Sequence, residues 1–117
     1  MRQIVEQRDS QLIIDNALFA ANVTVGHLAH LEGCLVHDWA LVGSGSIVLH
    51  NAIIHEHALV GGAAMVPGGV EVPRCSMALG VPAKIREGVL DEFHARMNVE
   101  AYTARSAQFR DELRRLD

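Results

Sequence analysis

Residues 35–72 read LVHDWA LVGSGS IVLHNA IIHEHA LVGGAA MVPGGV EV, and one branched aliphatic residue returns at every sixth place. Val36, Val42, Val48, Ile54, Val60, Val66 and Val72 keep that interval without a break, and Ala78 continues it as a weaker eighth member. The interval fits neither the 3.6-residue repeat of an amphipathic helix nor the simple alternation of a meander. Self-similarity at a short fixed period marks a stacked repeat architecture. Four residues after each member comes a small or branched side chain (Ala40, Ser46, Ala52, Ala58, Ala64, Val70 and Ser76), so large and small alternate.

This pattern predicts triangular coils. Each six-residue segment makes one short strand and one corner, three segments close a turn, and residues eighteen apart stack. The inward column of Val and Ile suits a thin pleated core, each buried side chain contributing roughly 1.5–3 kcal/mol. Stability is then shared between neighbouring coils. Gly43 and Gly61 each follow an inward valine, at a bend that suits glycine, and Pro67 and Pro73 take the equivalent place later. Upstream the pattern runs through Val25 and Leu31, but the step from Leu31 to Val36 is five, so one residue is missing from a corner. Leu12 to Asn22 reads as a further rung. Residues 1–11 are polar and aperiodic, a cap or a loose arm.

The residue before each inward one is also apolar: Leu35, Leu41, Ile47, Ile53, Leu59 and Met65. Strand alternation points these outward, and such apolar walls need covering. From Gly88 onward Val89/Leu90, Phe93, Met97, Ala101 and Ala104 recur at three- or four-residue steps among charged residues, and Leu113 and Leu116 follow nine and twelve residues on. That predicts a C-terminal amphipathic helix over residues 88–117, docked by this stripe on the repeat region of residues 1–87 or on a partner subunit. The helix covers one wall, and neighbouring subunits must cover another. A homo-oligomer follows.

Composition narrows the partners. With 10 Lys and Arg against 14 Asp and Glu, a net charge of −4 and Lys84 as the single lysine, neither nucleic acid nor an anionic membrane is the expected partner. No apolar run is long enough to span a bilayer, and the start MRQIVEQRDSQ lacks signal-peptide order, so a cytoplasmic location is expected. Cys34 and Cys75 form no CxxC and read as two small buried thiols.

The stretch from Val25 to Cys34, VGHLAHLEGC, resembles the γ-class carbonic anhydrases, whose motif there reads roughly [IV]-G-H-x-x-x-L-H-G-C. The likeness extends through 41–49, 59–66 and 78–86 and into a tail where Tyr102 and Phe109 sit like the family's paired helix aromatics. The stretch GVPAK is shared with hexapeptide acyltransferases. The resemblance implies a mainly β fold, a left-handed parallel β-helix of hexapeptide repeats with a C-terminal α-helix. It also implies a trimer with metal sites between subunits. Handedness comes from the resemblance alone, since the general crossover rule favours the opposite hand.

In that family three histidines hold zinc, and water completes the tetrahedron. Zinc lowers that water's pKa to roughly 7 and supplies hydroxide for attack on carbon dioxide, the small-molecule substrate. His27 matches a ligand position directly. Glu32 stands at the second, and no histidine precedes His27. A carboxylate is a legitimate zinc ligand, and His30 shares strand parity with Glu32, so His27, His30 and Glu32 from two subunits form the candidate metal set, for zinc, iron or cobalt. Against it stands the reading of His30 and Glu32 as ordinary polar side chains in an interface. Glu32 is also a candidate proton acceptor, His50, one coil away, is a second general base, and Tyr102 completes the candidate catalytic residues. The other histidines are weighed the same way: His37 with His55, and Trp39 with His57, should stack on solvated corners, and His94 should ride exposed on the helix.

Three functions remain open at this point. One is a metal-dependent lyase hydrating carbon dioxide. Another is an acyltransferase with coenzyme A in a groove between β-helices, though no looped-out insertion carrying a histidine is visible. The third is a non-catalytic trimeric β-helix that kept the fold.

Overall fold

The computed structural model describes residues 13–101. Its strands stack into three parallel walls around one axis. The first wall holds β1 (Ile13–Asp15), β4 (His30–Glu32), β7 (Ile47–Val48) and β10 (Met65–Val66). The second holds β2 (Leu18–Phe19), β5 (Leu35–Val36), β8 (Ile53–Ile54) and β11 (Glu71–Val72). The third holds β3 (Thr24–Val25), β6 (Leu41–Val42), β9 (Leu59–Val60) and β12 (Met77–Leu79), and β13 (Lys84–Arg86) turns back antiparallel on β12. This is the left-handed parallel β-helix of about four turns that the hexapeptide period describes.

The inward column is where the period puts it. Val36, Val42, Val48, Ile54, Val60, Val66, Val72 and Ala78 are wholly buried, and Phe19, Val25 and Leu31 extend the column toward the N-terminus. Phe19 places a proper rung at 13–22, while residues 1–11 lie outside the described residues. Ser46 takes the place of a small apolar residue in the interior, and its hydroxyl donates to the Gly43 carbonyl at 2.7 Å, so no polar atom is stranded there.

Each corner is the same device. The residues Asn16, Asn22, Leu28, Gly33, Trp39, Gly45, Asn51, His57, Ala63, Gly69 and Cys75 all hold φ between 55° and 78°. From Trp39 on, a turn bond from the fourth corner residue to the first closes the corner, as in Ala58 N to His55 O at 3.2 Å, which is the turn that needs a positive φ at its third residue. For Leu, Trp, His and Ala that conformation costs about 1–2 kcal/mol each. The amide of the strained residue donates across to the coil before, as in His57 N to Asp38 O at 3.0 Å and Ala63 N to Ser44 O at 2.9 Å. Corner strain is thus offset by a ladder of amide bonds running beside the sheets.

Glycine acts differently from the sequence expectation at Gly43 and Gly61. The positive φ falls two residues later, at Gly45 and Ala63. What Gly43 supplies is room: a Cβ there would lie 2.7 Å from the Gly62 nitrogen and the Val60 carbonyl oxygen.

The missing residue is also visible. β5 pairs β8 with an offset of eighteen (Leu35 to Ile53), whereas β4 pairs β7 with an offset of seventeen (His30 to Ile47). β1 and β4 share the seventeen-residue offset, Asp15 lying beside Glu32. The first two coils therefore both carry a shortened corner between the first and second walls, which is what lets them stack.

The third wall is covered by helix α1, described over 92–101. Asp91 caps it, accepting from the His94 amide at 2.7 Å, and that bond, with a second from the His94 ring, holds its carboxyl below the ordinary range. The docked face differs from the predicted stripe. Ala95 and Val99 are buried with Leu90 beside them, whereas Phe93 is 67 % exposed and Met97 48 %. Leu41 and Leu59 present a flat wall, and the short side chain of Ala95 lets the helix backbone approach it more closely than a phenylalanine would.

Gly43→Ala is expected to cost several kcal/mol, because backbone atoms on two sides cannot yield, whereas Gly62→Ala, with a nearest contact of 3.4 Å, should stay within about 1 kcal/mol. Urea midpoints of the two variants check the contrast.

Candidate functional site

The candidate residues gather at the first wall. His27 sits in the corner that leads from β3 into β4, half-buried, its amide donating to Ser44 Oγ at 3.2 Å and its carbonyl accepting from the Gly45 amide at 2.7 Å. The corner backbone is therefore fixed by the next coil. His30 and Glu32 flank the inward Leu31 on β4 and point outward, their Nε2 and Oε1 atoms 3.4 Å apart and each side chain about a third exposed. At that exposure the pair contributes at most about 1 kcal/mol to stability. Chemically it is a carboxylate and an imidazole held side by side on an open strand face.

The shortened corner shapes what lies next to them. Where β4 ends, Gly33 turns immediately with φ 55°, its amide donating to the Asp15 carbonyl at 2.7 Å. One coil on, the full-length corner adds a residue, and the His50 imidazole lies over Gly33: a Cβ on Gly33 would meet His50 Nδ1 at 2.3 Å. His50 is thus brought to the same corner as Glu32, packed on the glycine, with no hydrogen bond between the two side chains. Tyr102 lies outside the described residues.

Among the described residues of one chain, no three His, Cys, Asp or Glu side chains converge in a way that holds a metal ion. The donors still fit a metal in one respect. Two imidazoles and a carboxylate are a set that zinc accepts. Among the described residues, His30 and Glu32 stand on a wall that α1 does not cover, beside the 40 % exposed Ile47 and half-buried Met65.

A second cluster lies at the corners between the second and third walls. His37 and His55 stack there as expected, with ring centroids 5.4 Å apart and planes within 5°, and His55 Nε2 lies 2.7 Å from Glu71 Oε1. One step along the corner, where a solvated pair is expected, Trp39 is half-buried and His57 buried, because α1 lies across them. His57 is 5 % exposed. Arg96, which the sequence reading passed over, sets its guanidinium 4.7 Å above the Trp39 ring and donates from Nε to His57 Nε2 at 3.4 Å. The available signal was the eighteen-residue spacing of Trp39 and His57, but which helix residue would meet them depended on the docking register. Cys34 is buried, and burial pushes its thiol up to about 11, so it is inert as a nucleophile at neutral pH.

No family model matches the chain. Over 75 residues it is 37 % identical to the mitochondrial gamma carbonic anhydrase 2 of Arabidopsis thaliana, covering 64 % of this chain and 27 % of that protein. It is 33 % identical over 89 residues to the carnitine operon protein CaiE of Escherichia coli K12, covering 74 % of this chain and 45 % of that protein. The crystal structure of a hexapeptide transferase family protein from Anaplasma phagocytophilum superposes with a TM-score of 0.64 at 27 % identity, over 83 % of this chain and 64 % of that one. The chain therefore spans less than half the length of these two sequence relatives.

Gly33→Ala is expected to lower the unfolding free energy by more than the roughly 1 kcal/mol of left-handed strain alone, because His50 must move. Adding His50→Ala should recover part of that loss and leave the strain, as urea denaturation of the single and double variants would report. The corner geometry and the matched relatives together make this chain a hexapeptide-repeat β-helix whose homologues are γ carbonic anhydrases, CaiE proteins and hexapeptide transferases.

Proposed function

We propose that the chain is a γ-carbonic-anhydrase-like lyase that hydrates carbon dioxide as a cytoplasmic homotrimer, with zinc, or iron or cobalt in its place, held between subunits by His27, His30 and Glu32. The observation that carries this reading is the pairing of His30 with Glu32 at 3.4 Å on a wall left uncovered by the described residues, directly after the corner that holds His27. The similarity to gamma carbonic anhydrase 2 supports the chemistry. When bound, the metal supplies a water whose pKa falls to roughly 7.

The chain's own residues define the rest. The neighbouring coil fixes the His27 backbone at both its amide and its carbonyl. Glu32, about a third exposed, is the ligand or proton acceptor. His50, packed on Gly33 at the same corner, is the second base, and Tyr102 joins the catalytic set by resemblance. The outward Ile47 and Met65 are the contacts that keep a neighbouring subunit close and water out. Among the described residues no helix is long and apolar enough to cross a membrane.

Metal analysis after anaerobic purification, paired with stopped-flow hydration of carbon dioxide, tests the reading. Stoichiometric zinc, iron or cobalt is expected, with His27→Ala losing metal and at least about 100-fold of the hydration rate. Glu32→His, which restores the residue type of the resembling motif, is expected to raise metal affinity. A folded protein with no metal and no hydration would instead fit a non-catalytic β-helix. The fold likeness to a hexapeptide transferase favours an acyltransferase as the second reading, although the described corners carry no inserted loop. Coenzyme A raising the melting temperature would support it.

A further inference from the structure

Polar contacts among the described residues tie helix α1 and the residue that leads into it to the β-helix, and one of them ends on a buried histidine. Leu90 N donates to Cys75 O at 3.0 Å, Arg74 pairs with Glu92, and Arg96 bridges Trp39 and His57. The apolar part of the contact is thin, since Ala95 and Val99 are its buried helix residues. His57 lies beneath it with its Nδ1 atom buried and without a hydrogen-bond partner, in a recess lined by Trp39, Leu41, Leu59, Leu90 and Ala95 too tight for a guest molecule.

We propose that His57 is an acid-sensitive latch: neutral, it accepts the Arg96 N–H and holds α1 down; protonated, it expels Arg96 and frees the helix from the third wall. The geometry gives the direction. An imidazole that accepts at Nε2 carries its one proton at Nδ1, and the second proton can only go to Nε2, the atom facing Arg96. Protonation therefore removes the acceptor and sets two cations against each other.

The surrounding charges agree. Arg96 faces His57 from α1 and Arg74 from the coil after it, while Glu56 on its own corner and Asp38 on the coil before lie on the opposing side. Burial first, then the two arginines, lowers the His57 pKa from the ordinary 6.5, and the two carboxylates only partly offset them. A lowered value means the released form binds the proton more readily. The docked state is then fully favoured above about pH 6.5 and loses ground as the pH falls below it toward the lowered value.

Hydrogen exchange of the full chain, read by mass spectrometry and corrected for intrinsic chemistry, tests the latch. Between about pH 7.5 and about pH 5.5, amides of residues 92–101 are expected to exchange about tenfold faster while β5 to β9 keep their protection. Acrylamide quenching of Trp39, the only tryptophan in the chain, should rise over the same range. In His57→Gln, which keeps an acceptor but does not titrate, both responses should vanish. Should that variant fail to fold, Arg96→Met is used: it should loosen the helix already at the higher pH and move the remaining response upward in pH. A flat wild-type profile, loss of β5 to β9 protection along with the helix, an unchanged response in His57→Gln, or an unshifted one in Arg96→Met would overturn the proposal.

Discussion

Every other feature of this molecule depends on the corner. A chain that turns after each two- or three-residue strand must reverse direction without leaving amides unpaired, and here it does so with one left-handed residue per corner. The strain is accepted even by His57, Ala63 and Cys75, because the strained amide reaches a carbonyl of the coil before. Once the corners stack, the walls follow in register and the inward valines are buried along the axis. The core is narrow, so each coil is stabilised mainly by its neighbours.

The corner also distributes the chemistry. Side chains there project away from the axis, and stacked corners bring residues seventeen or eighteen apart in sequence into contact. The shortened corner between the first and second walls places Glu32 at the end of its strand and lets His50 fold over Gly33. The corner between the second and third walls sets Trp39 and His57 on successive coils and provides the seat for Arg96, which contacts both. Two groups of functional type thus arise from one backbone device, the first on an open wall and the second beneath the helix.

Much of the fold was legible because its cause is periodic. Val36 to Val72 give the coil, the five-residue step to Val36 gives the shortened corner, and Leu41 and Leu59 give a wall in need of cover. What stayed hidden was not periodic. Gly43 looked like a bend residue, but its role is steric, set by how closely the next coil approaches. The face of α1 that meets the β-helix is Ala95 and Val99 and not Phe93 and Met97, because hydrophobicity alone does not show that a close approach to a flat sheet favours short side chains. At the candidate site, the sequence placed His30 and Glu32 on one face, and the pairing at 3.4 Å agrees. Whether a second copy completes a ligand set is not written in one chain's pattern, since it depends on a surface formed only between molecules.

In the proposed trimer, the partly apolar wall carrying His30, Glu32 and Ile47 is half of an interface. Native mass spectrometry of the full 12.7 kDa chain addresses it directly. The account predicts a single species of three copies that persists on dilution to submicromolar concentration and comes apart when Ile47 is replaced by a charged residue. A species of one copy at all concentrations would contradict it.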